Sequence, residues 1–341
     1  MANLNPNDFT HELDRKALNA LIQIPGFTPL LKGFMKIYNE RVFKILNMSS
    51  KIKLSPDQLP QLYGLLPPVC EKLGIEEPEL YLELNRSVNA YTSGDTTKFI
   101  TLTSGLVETC TEEEISTVIA HECGHILCRH TLYHTMGQML LNGAAAALGL
   151  GRLFTTALET GFAYWMRCSE FSADRAAIVY NESAEPLVDI MVRFAGADKS
   201  LDEQINRELF MAQAEEYKQY VDDSTWNKIL EFLILRGQDH PLTTVRAYEA
   251  CKWVETNQYQ LIVNAMNGIT PEPFVNPMGS SMEYGNPMGG QSIDPSLQTM
   301  SGMGNASTGH AVNFCPKCGT SVNAEWAFCK MCGQPLKGQQ G

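Results

Sequence analysis

Apolar residues recur at helical spacing from about residue 8 to residue 74, and Pro25 with Gly26 breaks the first run. "SPDQ", Ser55 to Gln58, reads as a capping box with proline at the first helical position, and Gly74 closes the helix it would open. The period then changes. "ELYLEL", "VNAYT" and "KFITLT" are short runs rich in β-branched and aromatic residues, separated by turn formers, and they predict a small sheet of about three strands. From "TEEEISTVIAHECGH" the helical period returns and lasts to about Asn267. Thr111 and Glu114 frame a second capping box, opening a helix expected to run to about Gly137. The apolar stretch from Met139 to Met166 is interrupted by Asn142, Arg152 and Glu159 before reaching the ~18 to 20 apolar residues of a spanning helix. Two helices packed in or against the core are expected there, with membrane association the disfavoured alternative.

Beyond Asn267 the pattern fades. Residues 268–312 are rich in Gly, Pro, Ser, Asn and Met, "NPMG" occurs twice, and too little apolar surface is present to offset the entropy of ordering. The predicted organisation is an N-terminal helical segment (1–54), a main domain (55–267), a flexible linker (268–312) and a cysteine module (313–337). The fold class is α+β, mostly helical.

Charge and cysteines narrow the setting. A balance of 26 basic against 38 acidic residues gives −12, which disfavours binding to nucleic acid or anionic membrane. The polar, acidic start predicts no secretory signal. Six of the ten cysteines are scattered among apolar neighbours, as reduced thiols are, so a cytoplasmic location is expected.

The sharpest chemistry lies in "IAHECGHILCRH". His121 and His125 are one helical turn apart, so both rings leave one face and can share an ion, with Glu122 beside them to take a proton from metal-bound water. The blander reading is a pair of hydrogen-bonding helix histidines. At about 100° per residue, His130 falls opposite His121 on a continuous helix and His134 lies one turn further, so both are expected to point away from the ion. Downstream, "CSEFSADRAA" sets Glu170 and Asp174 one turn apart. Glu170 can complete a His/His/Glu zinc site, and Asp174 can accept the outer N–H of a ligand histidine. The alternative is an acidic face balanced by Arg167 and Arg175.

"CPKCGTSVNAEWAFCKMCG" holds Cys315, Cys318, Cys329 and Cys332 as two CxxC pairs ten residues apart, a closed tetrahedral zinc site in a module too small to fold without metal. It resembles a short zinc ribbon. Lys317, Lys330 and Lys337 make it mildly basic, but there is no dense basic patch with aromatic platforms, so protein or substrate recruitment is favoured over nucleic acid, with a purely structural cap still open.

"HECGH", "EFSAD" and "DHPLTTVR", in that order, together with "NAYTSG" and "FITLTSGLVETC", resemble the HtpX-like and CAAX-prenyl-protease family of zinc metallopeptidases, in the gluzincin group. The resemblance covers about residues 60 to 255. It implies zinc held by His121, His125 and Glu170, Glu122 as general base, Asp174 as outer partner, His240 as oxyanion stabiliser and Arg246 in support. The diluted stretch 139–166 makes this look like a soluble variant. The expected function is zinc-dependent endoproteolysis, with one catalytic and one structural zinc and a protein or peptide substrate. Asn89, Ala90 and Tyr91 could hold that peptide as an added strand, or be an ordinary turn-flanked strand. A catalytically silent scaffold acting through its ribbon is the competing reading.

Overall fold

Glycine in a left-handed conformation sets the first corner: Gly26 (φ 98°) separates α2 (Glu12–Gln23) from α3 (Phe27–Ile37). A single turn, α1 (Pro6–Phe9), precedes them, and α4 (Glu40–Ser50) follows, capped by Asn39. The structure, a computed structural model, describes residues 4–142, 152–196, 199–225, 231, 242–269, 313–314 and 321–322.

The first 74 residues are not helical throughout. Ile52–Lys53 form β1, and "SPDQ" starts no helix. Ser55 and Gln58 exchange both backbone hydrogen bonds at 3.0 Å, and Ser55 Oγ accepts from the Asp57 amide, so the residues that could cap a helix close a local turn instead. Helices α5 (Pro60–Tyr63) and α6 (Leu66–Leu73) come next, and Gly74 (φ 71°) ends α6 as expected.

The three expected strands are present as β2 (Glu79–Glu83), β3 (Ala90–Ser93) and β4 (Phe99–Thr103). With β1 they make a four-stranded sheet in the order β1-β2-β4-β3, where β2 and β4 are parallel and the other neighbours antiparallel. A two-residue strand is too short to register as a period, which is why β1 escapes a sequence reading. Among the described residues this order leaves β3 with one open edge.

After α7 (Ser104–Thr109) come α8 (Glu112–Leu127), α9 (Thr131–Leu141), α10 (Arg152–Asn181), α11 (Glu185–Phe194), α12 (Arg207–Asp222), α13 (Thr243–Val254) and α14 (Asn257–Met266). The Thr111/Glu114 capping box forms, with both reciprocal bonds made. One apolar core joins α6, the sheet, α8, the end of α10, α11, α13 and α14 through residues such as Leu66, Ile100, Ile119, Val179 and Trp253. A second joins α2, α3, α9 and the first half of α10 through Leu21, Phe27, Phe34, Phe162 and Trp165. Among the described residues no helix is long and apolar enough to cross a membrane.

Helices α8 and α10 run against each other between these cores. A Cβ on Gly124 would lie 2.8 Å from Ala176 Cβ and 2.9 Å from Ala173 Cα, so the missing side chain is what lets α10 approach. Helix α8 also stops at Leu127, about ten residues before Gly137. The Arg129 amide bonds Ile126 O at 3.1 Å and the His130 amide bonds His125 O at 3.0 Å, a Schellman end with Arg129 left-handed (φ 59°) where glycine is usual.

The chain divides into two compact units, Met1–Phe274 and Val275–Gly341. The first therefore includes the N-terminal helices. In the second, Asn313–Phe314 (β5) pairs antiparallel with Ser321–Val322 (β6). The linker and the four cysteines at 315, 318, 329 and 332 lie outside the described residues, as does His240.

Candidate metal centre

The α8–α10 approach brings three donors to one point. His121 Nε2 lies 3.2 Å from His125 Nε2, His121 Nε2 lies 3.3 Å from Glu170 Oε2, and His125 Nε2 lies 3.2 Å from Glu170 Oε1. All three residues are buried. Two ring nitrogens and a carboxylate facing one another make a pocket of electron-pair donors that a cation would stabilise. The donor set fits zinc, whose usual ligands are imidazole and carboxylate in a site with a position left for water.

The electrostatics agree. Burial works against a charged His121, but hydrogen bonds to Asp174 and Glu170 outweigh it and push its pKa up to about 9. For His125 burial prevails, and the pKa is lowered. The cluster thus holds one ring that attracts a proton and one that resists it.

Asp174, one turn beyond Glu170, accepts from His121 Nδ1 at 2.9 Å, which leaves Nε2 as the lone pair facing inward. Arg246 on α13 donates from Nε to Asp174 Oδ2 at 2.8 Å, and its Nη1 lies 3.5 Å from Glu170 Oε2. Burial alone would raise the Asp174 pKa, but Arg246 and His121 hold it below the usual carboxylate range. The cation balancing the acidic pair is therefore Arg246. Arg175 instead donates to Phe9 O and lies over the Trp253 ring.

Glu122 points beside this centre, and Thr92 Oγ1 on β3 donates to its Oε2 at 2.5 Å. Strand β3 borders the site with its open edge. Asn89 turns both backbone groups toward Thr103, so alternation along the strand directs those of Ala90 outward. Tyr91 is held on the sheet by its hydroxyl, which donates to Glu83 and accepts from Lys51 Nζ at 2.7 Å. Cavities of about 530 and 640 Å³ open on the two sides, and Asn89, Ala90, Glu122 and Glu170 line both. The second is walled by Val88, Val118, Leu187, Ile190 and Phe194.

His130 and His134 both pack against His125 rather than on the opposite face, the His134 ring centroid lying 4.9 Å from that of His125. Because α8 ends early, the chain turns back, and His130 Nδ1 comes 3.0 Å from His125 Nδ1. The opposite-face expectation assumed an unbroken helix.

Residues 60–254 match peptidase family M48, and residues 314–336 match a zinc-ribbon domain. The chain belongs to peptidase family M48. Relatives include the plastoglobule-localized metallopeptidase 48, chloroplastic, of Arabidopsis thaliana, 30% identical over 270 residues that make up 77% of each chain. Protease HtpX of Legionella pneumophila (strain Corby) is 30% identical over 27% of this chain and 33% of its own. The protease HtpX homolog of Thermococcus sibiricus is 25% identical over 41% and 45%. No solved structure matches the chain. Membership of M48 supports a zinc-dependent protease, and its matched span holds the HECGH and EFSAD motifs.

Two contributors to this M48 site carried no signal in the sequence. Thr92 is a plain strand residue until β3 is seen beside α8. Asp14 sits in α2, before the M48 match begins, yet its carboxylate lies 3.1 Å from His130 Nε2. The six scattered cysteines form no disulfide, and burial raises the thiols of Cys110 and Cys168 to about 12 and 11, so neither is a ready nucleophile.

Proposed function

We propose that the chain is a zinc-dependent endopeptidase whose catalytic ion is held by His121, His125 and Glu170, with Glu122 as general base. The observation that carries this reading is the convergence of those three donors, at 3.2–3.3 Å, beside a carboxylate that is not one of them. When bound, zinc lowers the pKa of a coordinated water toward ~7 and polarises the scissile carbonyl.

The chain's own groups do the rest. A peptide lies along the outward edge of Ala90, pairing main chain to main chain, with room on both sides of the site for an uninterrupted polypeptide. Glu122 takes the proton of the attacking water, oriented by the Thr92 hydroxyl, and passes it to the departing amine nitrogen. His240 supplies a donor to the oxyanion, as the resemblance implies. The ribbon, holding the second zinc on four thiolates, recruits a protein partner or substrate, and the location is cytoplasmic.

Cleavage of an unstructured protein such as casein, followed for wild type and Glu122→Gln, tests the catalytic claim. Wild type should cut internally and the variant should be slower by ~10²–10⁴, the usual contribution of a positioned proton-transfer group. Equal rates would exclude Glu122 as the base. A wild type that binds zinc but cuts no peptide would point to the scaffold reading.

A further inference from the structure

We infer that Asp14 and His130 form a relay that orients the second metal-binding histidine, His125, so that the N-terminal helix α2 completes the metal centre. The inference rests on His121, His125 and Glu170 holding the ion, as proposed above.

A histidine that binds metal through Nε2 keeps its proton on Nδ1, and that N–H needs an acceptor. For His121 the acceptor is Asp174. For His125 it is another imidazole, His130 Nδ1, at 3.0 Å. His130 can accept there only when its own proton sits on Nε2, and Asp14 Oδ2 lies 3.1 Å from that nitrogen. Asp14 is itself fixed as an acceptor: Ser172 Oγ donates to Oδ2 at 2.6 Å and Trp165 Nε1 donates to Oδ1 at 2.9 Å. One set of tautomers therefore satisfies every contact, and it ends with the His125 Nε2 lone pair aimed at Glu170 and His121. Asp14, His130 and His125 are 2%, 3% and 7% exposed, so water does not compete for these bonds.

Burial favours a neutral Asp14, but His130 and the Ser172 and Trp165 donors outweigh it and hold the carboxyl ionised. The two metal-binding histidines thus have parallel supports, a carboxylate directly behind His121 and a carboxylate acting through an imidazole behind His125. The second depends on the left-handed turn at Arg129, which brings His130 back against His125.

His125, His130 and His134 each offer a nitrogen within 4.8 Å of the others, so a second ion could be imagined there. Such an ion would need both nitrogens of His125 and would displace the His125–His130 hydrogen bond. The relay uses the same atoms with each N–H matched to a lone pair.

The test is zinc affinity of the full chain by chelator competition, following the zinc that is absent from Glu170→Ala, with the visible spectrum of the cobalt-substituted protein as a geometric readout. Folding of each variant is checked by its zinc-free melting curve. Asp14→Ala and His130→Leu should each weaken binding by about 10–100-fold, the usual effect of losing such a partner, and shift the cobalt bands. The double variant should be no weaker than the weaker single, because the residues act in series. His130→Asn, whose amide oxygen can replace Nδ1 as acceptor, should return affinity to within a few-fold of wild type. If Asp14→Ala does not fold, the isosteric Asp14→Asn takes its place with the same direction expected. Wild-type affinity in the single variants, additive losses in the double, or His130→Asn no better than His130→Leu would each overturn the relay. So would a further zinc equivalent lost in His134→Ala. A wild type whose zinc content is unchanged by Glu170→Ala would instead overturn the metal centre itself, and the relay with it.

Discussion

Gly124 lies between the two motif histidines, and replacing it with alanine separates two effects that act in opposite directions. Alanine is better than glycine inside a helix by up to about 1 kcal/mol. Against that, the new methyl group would start 2.8 Å from Ala176 Cβ, 2.9 Å from Ala173 Cα and 3.0 Å from Ala173 O. Carbon atoms pack best at roughly 3.5–4.0 Å, so α8 and α10 must separate by something like 0.5–1 Å. The obstruction is mostly backbone, which no rotamer change relieves. Overpacking of this kind costs typically 1–3 kcal/mol, so the net change in zinc-free stability should run from about 0 to 3 kcal/mol unfavourable. The metal should report the shift far more clearly. Glu170 stands on α10 and both histidines on α8, and metal–ligand distances tolerate only about 0.2 Å. Gly124→Ala should therefore lose most of its zinc affinity at a modest cost in stability, seen by chelator competition alongside urea unfolding of the zinc-free protein. A variant more stable than wild type with unchanged zinc affinity would falsify the claim that this contact sets the position of Glu170.

Other expectations follow from the same geometry. Arg246→Leu removes the buried cation shared by Asp174 and Glu170, and should lower zinc-free stability by about 3–5 kcal/mol, the range for breaking a buried pair. Saturating zinc should restore part of it; a loss below about 1 kcal/mol in unfolding experiments would count against the pairing as described. Arg129→Gly relieves a left-handed non-glycine residue and should raise the unfolding free energy by up to about 1 kcal/mol, whereas a clear decrease would mean that the arginine side chain, not the turn, matters there. Thr92→Val deletes the hydroxyl bonded to Glu122 and should lower kcat by several-fold with KM little changed; a rise in KM alone would assign Thr92 to substrate binding. Metal analysis should find two zincs per chain, with one lost in Glu170→Ala and the other on deleting residues 313–341; a single zinc retained by the truncated chain and by Glu170→Ala alike would sink that assignment.

What could be read from the chain and what could not divides along a physical line. The HECGH and EFSAD pairs are legible because ligands one turn apart on a helix leave a fixed spacing, and three strands of the four-stranded sheet are legible because runs of four or five residues, rich in β-branched and aromatic types, stand between turn formers. A two-residue strand has no period. Ser55 could cap a helix or close a turn with the same hydroxyl, and the residue types alone do not say which.

The end of α8 is the instructive case. A helix that stops at glycine announces itself, but here an arginine takes the left-handed position, and nothing in the local pattern distinguishes it from a surface residue of a continuing helix. Extending the helix through that point rotates His130 to the far side and makes it look inert. The true break turns it inward onto His125, and from there to Asp14, more than a hundred residues earlier in the chain. Helical spacing can locate donors that share a helix, because their relative geometry is local. It cannot locate a partner that reaches the site through a chain reversal, because one backbone torsion there decides which residues meet.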